Sequence, residues 1–118
     1  MTENENPTIF GKILRGELPA DVVYEDDDVL AFRDIYPAAP VHILVIPKQH
    51  IVNLFDAGED DEALLGKLML AARKVAIQEG LEEEGFRLVI NNGEGVGQTV
   101  FHIHVHVMGG RGFSWPPG

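Results

Sequence analysis

The segment 101–107 reads Phe-His-Ile-His-Val-His-Val, so three of the chain's five histidines alternate with bulky apolar residues. Successive side chains on a strand point to opposite faces. The alternation therefore predicts a strand with His102, His104 and His106 on one face and Phe101, Ile103, Val105 and Val107 on the other. The apolar face needs a core to lie against. The histidine face needs something else, because each imidazole has two ring nitrogens to satisfy and histidine is only moderately at home in an interior. Such a row points to chemistry rather than to packing.

Metal binding is the first chemistry to weigh, since neutral imidazole is the commonest metal ligand. At a strand rise of roughly 3.3 Å per residue, the backbones of His102 and His106 stand about 13 Å apart, whereas zinc holds its nitrogens at about 2.0 to 2.1 Å. Two of the three histidines fit around one ion, but hardly all three. The chain has no cysteine, and no Glu-x-x-His spacing supplies further ligands. No metal and no cofactor are expected.

The 118 residues allow one small domain with a single core. No apolar run approaches the roughly 18 residues of a membrane span, and residues 1–6 are acidic where a signal peptide is basic. A soluble cytoplasmic protein without membrane contact is expected. The formal charge of −10, with nine scattered Lys and Arg, argues against nucleic acid as a partner. A mononucleotide remains possible, because one phosphate can be held by backbone N–H groups and histidines without a basic surface.

Residues 1–7 read as a disordered polar tail, followed by a single domain over 8–118 that ends in a C-terminal tail over 109–118. A short helix begins at Thr8, with Ile9, Phe10, Ile13 and Leu14 on one side and Gly16 ending it. The runs 21–25 and 29–34, joined by Asp26, Asp27 and Asp28, form a hairpin. The run 41–46, stopped by Pro47, is apolar enough for a central strand covered on both faces. Residues 60–79 form the one long helix, with acids at its start and Leu65, Leu68, Ala72 and Val75 at helical spacing. Strand 86–90, the loop 91–98 and the histidine strand complete the pattern, the last two strands lying antiparallel. This is an α+β domain whose mainly antiparallel sheet is covered on one face by one long and one short helix.

The His-x-His-x-His pattern at 102–106 resembles the signature of the histidine triad (HIT) superfamily. The opening Thr-Ile-Phe-Gly-Lys-Ile at 8–13, the central segment 40–50, and the ending with Gly109, Gly110, Arg111 and Trp115 resemble its nucleotide-binding protein branch. The resemblance implies a homodimer in which two five-stranded sheets join into one, and a purine mononucleotide site on each protomer. It also implies hydrolysis of nucleoside phosphoramidates such as adenosine 5'-monophosphoramidate, with His104 as the nucleophile. A covalent His104-AMP intermediate would split one difficult P–N hydrolysis into two easier displacements.

By the same resemblance, His106 touches the α-phosphate, and His102 and His42 hold the array in its correct tautomers. Asp34 accepts hydrogen bonds from the ribose hydroxyls with Ile35 beside it, while Ile9, Phe10, Leu18 and Phe32 wall the base pocket. Asn91, Gly97 and Thr99 contact phosphate or ribose, and Gln98 gives its backbone. The glycine-rich loop 91–99 is no dinucleotide fingerprint, because a strand follows where that motif requires a helix. Trp115 lies on the leaving-group side, and His50 belongs to the surface or behind the site. Thr99 and Asn92 stand where many relatives carry serine and glutamate. Two other functions fit the residues: a dinucleoside polyphosphate hydrolase, toward which Gln98, Thr99 and Val100 point, and a nucleotide-binding regulatory module with incidental activity.

Overall fold

A computed structural model describes residues 6–118. Five strands, β1 (Val22–Glu25), β2 (Val29–Arg33), β3 (Val41–Pro47), β4 (Arg87–Val89) and β5 (Val105–Gly109), form one antiparallel sheet in the order β1-β2-β3-β5-β4. The β1–β2 hairpin turns on Asp26, whose Oδ1 accepts the backbone N–H groups of Asp28 and Val29 at 2.8 and 2.9 Å. The central β3 is flanked by β2 and β5, and its positions from His42 to Pro47 are buried.

Helix α1 (Ile9–Leu14) is capped by Thr8, whose hydroxyl accepts the Gly11 N–H. Helix α2 (Glu62–Gln78) follows a single 3₁₀ turn at Glu59–Asp61. Among the described residues no helix is long and apolar enough to cross a membrane.

The two helices lie on opposite faces of the sheet, which corrects the expectation of one helical layer. Val29, Ala31, Ile43, Val45, Val105 and Val107 pack with Leu68, Ala72 and Val75 of α2. Leu30, Phe32, Leu44 and Ile46, the alternate residues of β2 and β3, pack with Phe10 of α1. Both parities of these strands are apolar, so both faces must be covered.

Three further expectations change. The regular ladder of the histidine segment begins only at Val105. Pro47 has no N–H to donate, its carbonyl is claimed by the His102 ring, and the Ile103 N–H turns to the Ile51 carbonyl at 2.7 Å. Phe101 is 45% exposed instead of joining the core wall, although Ile103, Val105 and Val107 are buried as expected. Of the expected tail, residues 1–5 lie outside the described residues, but Asn6 is fully buried. Its amide satisfies buried partners described below.

Candidate active site

His104 ends the irregular stretch before β5, and its Nδ1 lies 2.8 Å from the His102 carbonyl oxygen. A carbonyl only accepts, so Nδ1 carries the proton and Nε2 presents a lone pair. His102 is fully buried, with Nε2–H donating to the Pro47 carbonyl at 2.8 Å and Nδ1 accepting from the Asn6 amide at 2.8 Å.

A second chain fixes His106. The Ala38 N–H donates to His42 Nδ1 at 2.9 Å, which leaves the proton of His42 on Nε2. That proton faces His106 Nδ1 at 2.9 Å, and Asp34 Oδ2 lies 3.4 Å from His42 Nε2. His106 Nδ1 therefore accepts, and its proton sits on Nε2. That atom is buried and has no hydrogen-bond partner among the described residues. An orphaned buried N–H is costly, and an oxygen-rich ligand would satisfy it. The site thus offers one lone pair, on His104, beside one donor, on His106, the two rings lying 4.9 Å apart.

Burial keeps His102, His104 and His106 neutral. Desolvation pushes His102 down to about 4, against its bond to Pro47 and with help from His50 and His104. Desolvation likewise brings His106 to about 4, reinforced by His104 and His42 and opposed by Asp34. For His104 the direction is the same and again burial dominates, opposed by the bond to His102 and by Asp34.

His104 and His106 open into a cavity of about 570 Å³ between α1 and the exposed end of β2. Of the residues singled out by sequence, Ile9, Phe10, Leu18, Phe32, Asp34, Ile35, Thr99, His104 and His106 form its walls. His42 and His102 stand behind it, each bonded to the array. Asn91, Gly97 and Gln98 lie outside the walls, in the adjoining loop, and Trp115 is 82% exposed at the C-terminus. His50 stacks on His102 with ring centroids 5.2 Å apart, a place behind the site.

Gln98 departs from its expected part. Its backbone N–H donates to the Gly93 carbonyl. Its buried side chain donates to the carbonyls of Val52 and Val100 and accepts from Asn53 and the Gly93 N–H. Gln98 is a latch that ties the loop to the segment after β3. Gly97 beside it has φ +106°, a conformation that L side chains rarely adopt.

Asp34, His42 and His106 bring possible metal-ligating atoms within 4.8 Å of one another. Within this group His42 Nε2 and His106 Nδ1 are already bonded to each other.

Sequence reasoning missed Leu44, Tyr36 and Val100 in the walls, the Ala38 N–H behind His42, and Asn6. Leu44 was within reach, because period two places it on the face of His42. Asn6 carries no local signal in a polar run.

The HIT domain family model matches residues 15–113. An uncharacterized HIT-like protein of Synechococcus elongatus is 62% identical over 111 residues, covering 94% of this chain and 96% of its own. The crystal structure of a HIT family hydrolase from Legionella pneumophila superposes with a TM-score of 0.91 at 54% identity, covering 93% of this chain and 98% of its own. A histidine triad nucleotide-binding protein from Candida albicans matches with a TM-score of 0.79 at 31% identity, covering 94% and 84%.

Proposed function

Since the chain belongs to the HIT domain family, we propose that it is a hydrolase of the nucleotide-binding branch, a purine nucleoside phosphoramidase that works through a covalent His104-AMP intermediate. The observation that carries this reading is the pairing of opposite tautomers, a lone pair on His104 Nε2 beside an unpartnered donor on His106 Nε2. The names of the Legionella hydrolase and the Candida nucleotide-binding protein agree with it.

In the first step His104 Nε2 attacks the α-phosphorus, the N–P bond forms, and the P–N bond to the amine breaks. The departing nitrogen must carry a proton, brought with the substrate or passed through the Thr99 hydroxyl on the cavity wall. His106 Nε2–H donates to a non-bridging oxygen as charge builds there. In the second step water attacks the same phosphorus and gives its proton to solvent, the His104–phosphorus bond breaks, His104 regains its lone pair, and AMP leaves. Asp34 takes the ribose hydroxyls, a carboxylate with two oxygens facing two donors. The apolar walls from Ile9 to Phe32 take the base.

A homodimer accords with β4 forming the outer edge of the sheet, with Phe86 just before it 38% exposed, and with Met69 and Leu70 of α2 39% and 65% exposed. Light scattering in line with size exclusion measures that state directly. Small-molecule turnover in the cytoplasm, without nucleic acid or membrane, completes the reading.

The test is AMP release from adenosine 5'-monophosphoramidate compared with diadenosine triphosphate. The reading expects the phosphoramidate to be preferred. Preference for the dinucleotide would assign the polyphosphate hydrolase activity, and binding of AMP without turnover of either would assign a regulatory module.

A further inference from the structure

We propose that Asn6 is a positioning residue of this site: its side-chain amide locks His102 in the neutral Nε2–H tautomer and, through the His102 carbonyl, keeps the His104 lone pair aimed into the cavity. The catalytic half of this statement rests on the function proposed above. The tautomer half rests on geometry alone.

The orientation of the Asn6 amide is dictated by its neighbours. Its Oδ1 faces the Thr8 backbone N–H at 3.0 Å and the Thr8 hydroxyl at 2.7 Å. A backbone N–H only donates, so the oxygen must point at Thr8 and Nδ2 must point at His102 Nδ1. An amide N–H₂ has no lone pair to offer a second proton. A protonated His102 would set N–H against N–H at 2.8 Å, between two side chains that are both fully buried.

Of the other described groups facing His102, only the Pro47 carbonyl favours its charge, and burial outweighs it. Those groups are the Pro47 carbonyl at Nε2, the stacked His50 whose Nε2 meets the Phe101 carbonyl, the edge of Phe10 with ring centroids 6.1 Å apart, and His104 along the chain. None of these is a carboxylate.

Asn6 is itself built in. Its carbonyl accepts from Arg15 Nη1 at 2.7 Å. A Cβ on Gly11 would lie 2.5 Å from Asn6 Cγ and 2.6 Å from its carbonyl oxygen, so the glycine of α1 clears the space that Asn6 fills. Two elements thus cooperate to seat one amide. The His102 ring is held at both nitrogens, its main chain is held with it, and the carbonyl that orients His104 Nδ1 stays in place.

The experiment compares wild type, Asn6→Asp, Gly11→Ala and the α2 core variant Val75→Ala. Imidazole ¹⁵N spectra are recorded without substrate, and kcat and KM for adenosine 5'-monophosphoramidate are measured across pH. Wild-type His102 should show a bare Nδ1 and no titration between about pH 5 and 8. Asn6→Asp supplies an acceptor, so His102 should gain an Nδ1–H and become charged near neutrality. Gly11→Ala displaces Asn6 and should release Nδ1 from its bond by an independent route.

Both variants should lose on the order of 10- to 100-fold in kcat at neutral pH with KM within about twofold, the signature of a misaimed reacting group. Val75→Ala should lower Tm and leave the spectra and the pH profile alone. An unchanged His102 spectrum in both site variants, or a charged His102 with kcat intact, would overturn the proposal. Absence of turnover in wild type would instead overturn the proposed function, while the spectra would still decide the role of Asn6.

Discussion

On the α2 side of the sheet, Ile43, Val45, Val105 and Val107 meet Leu68, Ala72 and Val75 in an entirely apolar core. On the α1 side the same strands present Leu44 and Ile46 to Phe10, together with His42 and His106. The covers differ as well. Helix α2 has 17 residues and α1 has 6, lengths of about 25 and 9 Å. The short helix cannot close its face, so Ile9 and Leu18 stay 51% and 39% exposed around the cavity. Period two lets one set of strands separate stability from reactivity, and the shorter helix decides which face stays open to a ligand.

The sharpest way to break this comparison is to exchange the effects of the two faces. His106→Ala removes the buried donor and should lower kcat for the phosphoramidate by about 10²- to 10³-fold, with Tm measured by calorimetry little changed. Leu68→Ala should do the reverse, costing about 2 to 5 kcal/mol in urea unfolding while kcat per folded molecule holds. A large kcat loss in Leu68→Ala at temperatures where it stays folded would mean that the faces are not independent.

Acid should act on the α1 face first. In the unfolded chain imidazoles titrate near 6.5, and in the fold His102 and His106 titrate at about 4. Between those values the unfolded chain binds more protons. Stability is therefore full above about pH 6.5 and lost as pH falls toward 4, by roughly 1 kcal/mol from 6.5 to 5.5 for the fully buried His102 and by less for the partly exposed, solvent-screened His106. Urea titrations at these pH values check the slope, and His102→Phe should flatten it if the protein still folds.

Asp34→Asn tests the binding end of the same face. It should raise KM by about 10- to 100-fold, the worth of charge-assisted hydrogen bonds, with a smaller effect on kcat. Trp115→Ala should have the least effect on the fold, within about 0.5 kcal/mol, because the ring is 82% exposed.

Much of this architecture was legible from pattern alone. Alternation placed Ile103, Val105 and Val107 in the core, apolar runs made β3 central, and acids with helical spacing marked α2. The split of the helices between faces was missed although the signal was present, because Leu30, Phe32, Leu44 and Ile46 form a second apolar parity that α2 cannot reach. Other features had no local signal. The end of the β5 ladder depends on which group takes the Pro47 carbonyl, and the burial of Asn6 depends on a gap at Gly11 and a ring 96 residues away. Gln98 likewise reads as a loop residue until its four hydrogen bonds are seen.

The chemistry of the α1 face converges on one atom, His104 Nε2. The direct measurement is rapid base quench of the protein during turnover of adenosine 5'-monophosphoramidate, followed by peptide mapping at alkaline pH by mass spectrometry. The account predicts an adenylyl group on His104, acid-labile as a P–N bond should be, and neither adduct nor AMP from His104→Ala. An adduct on another residue, or AMP released at the wild-type rate by His104→Ala, would contradict it.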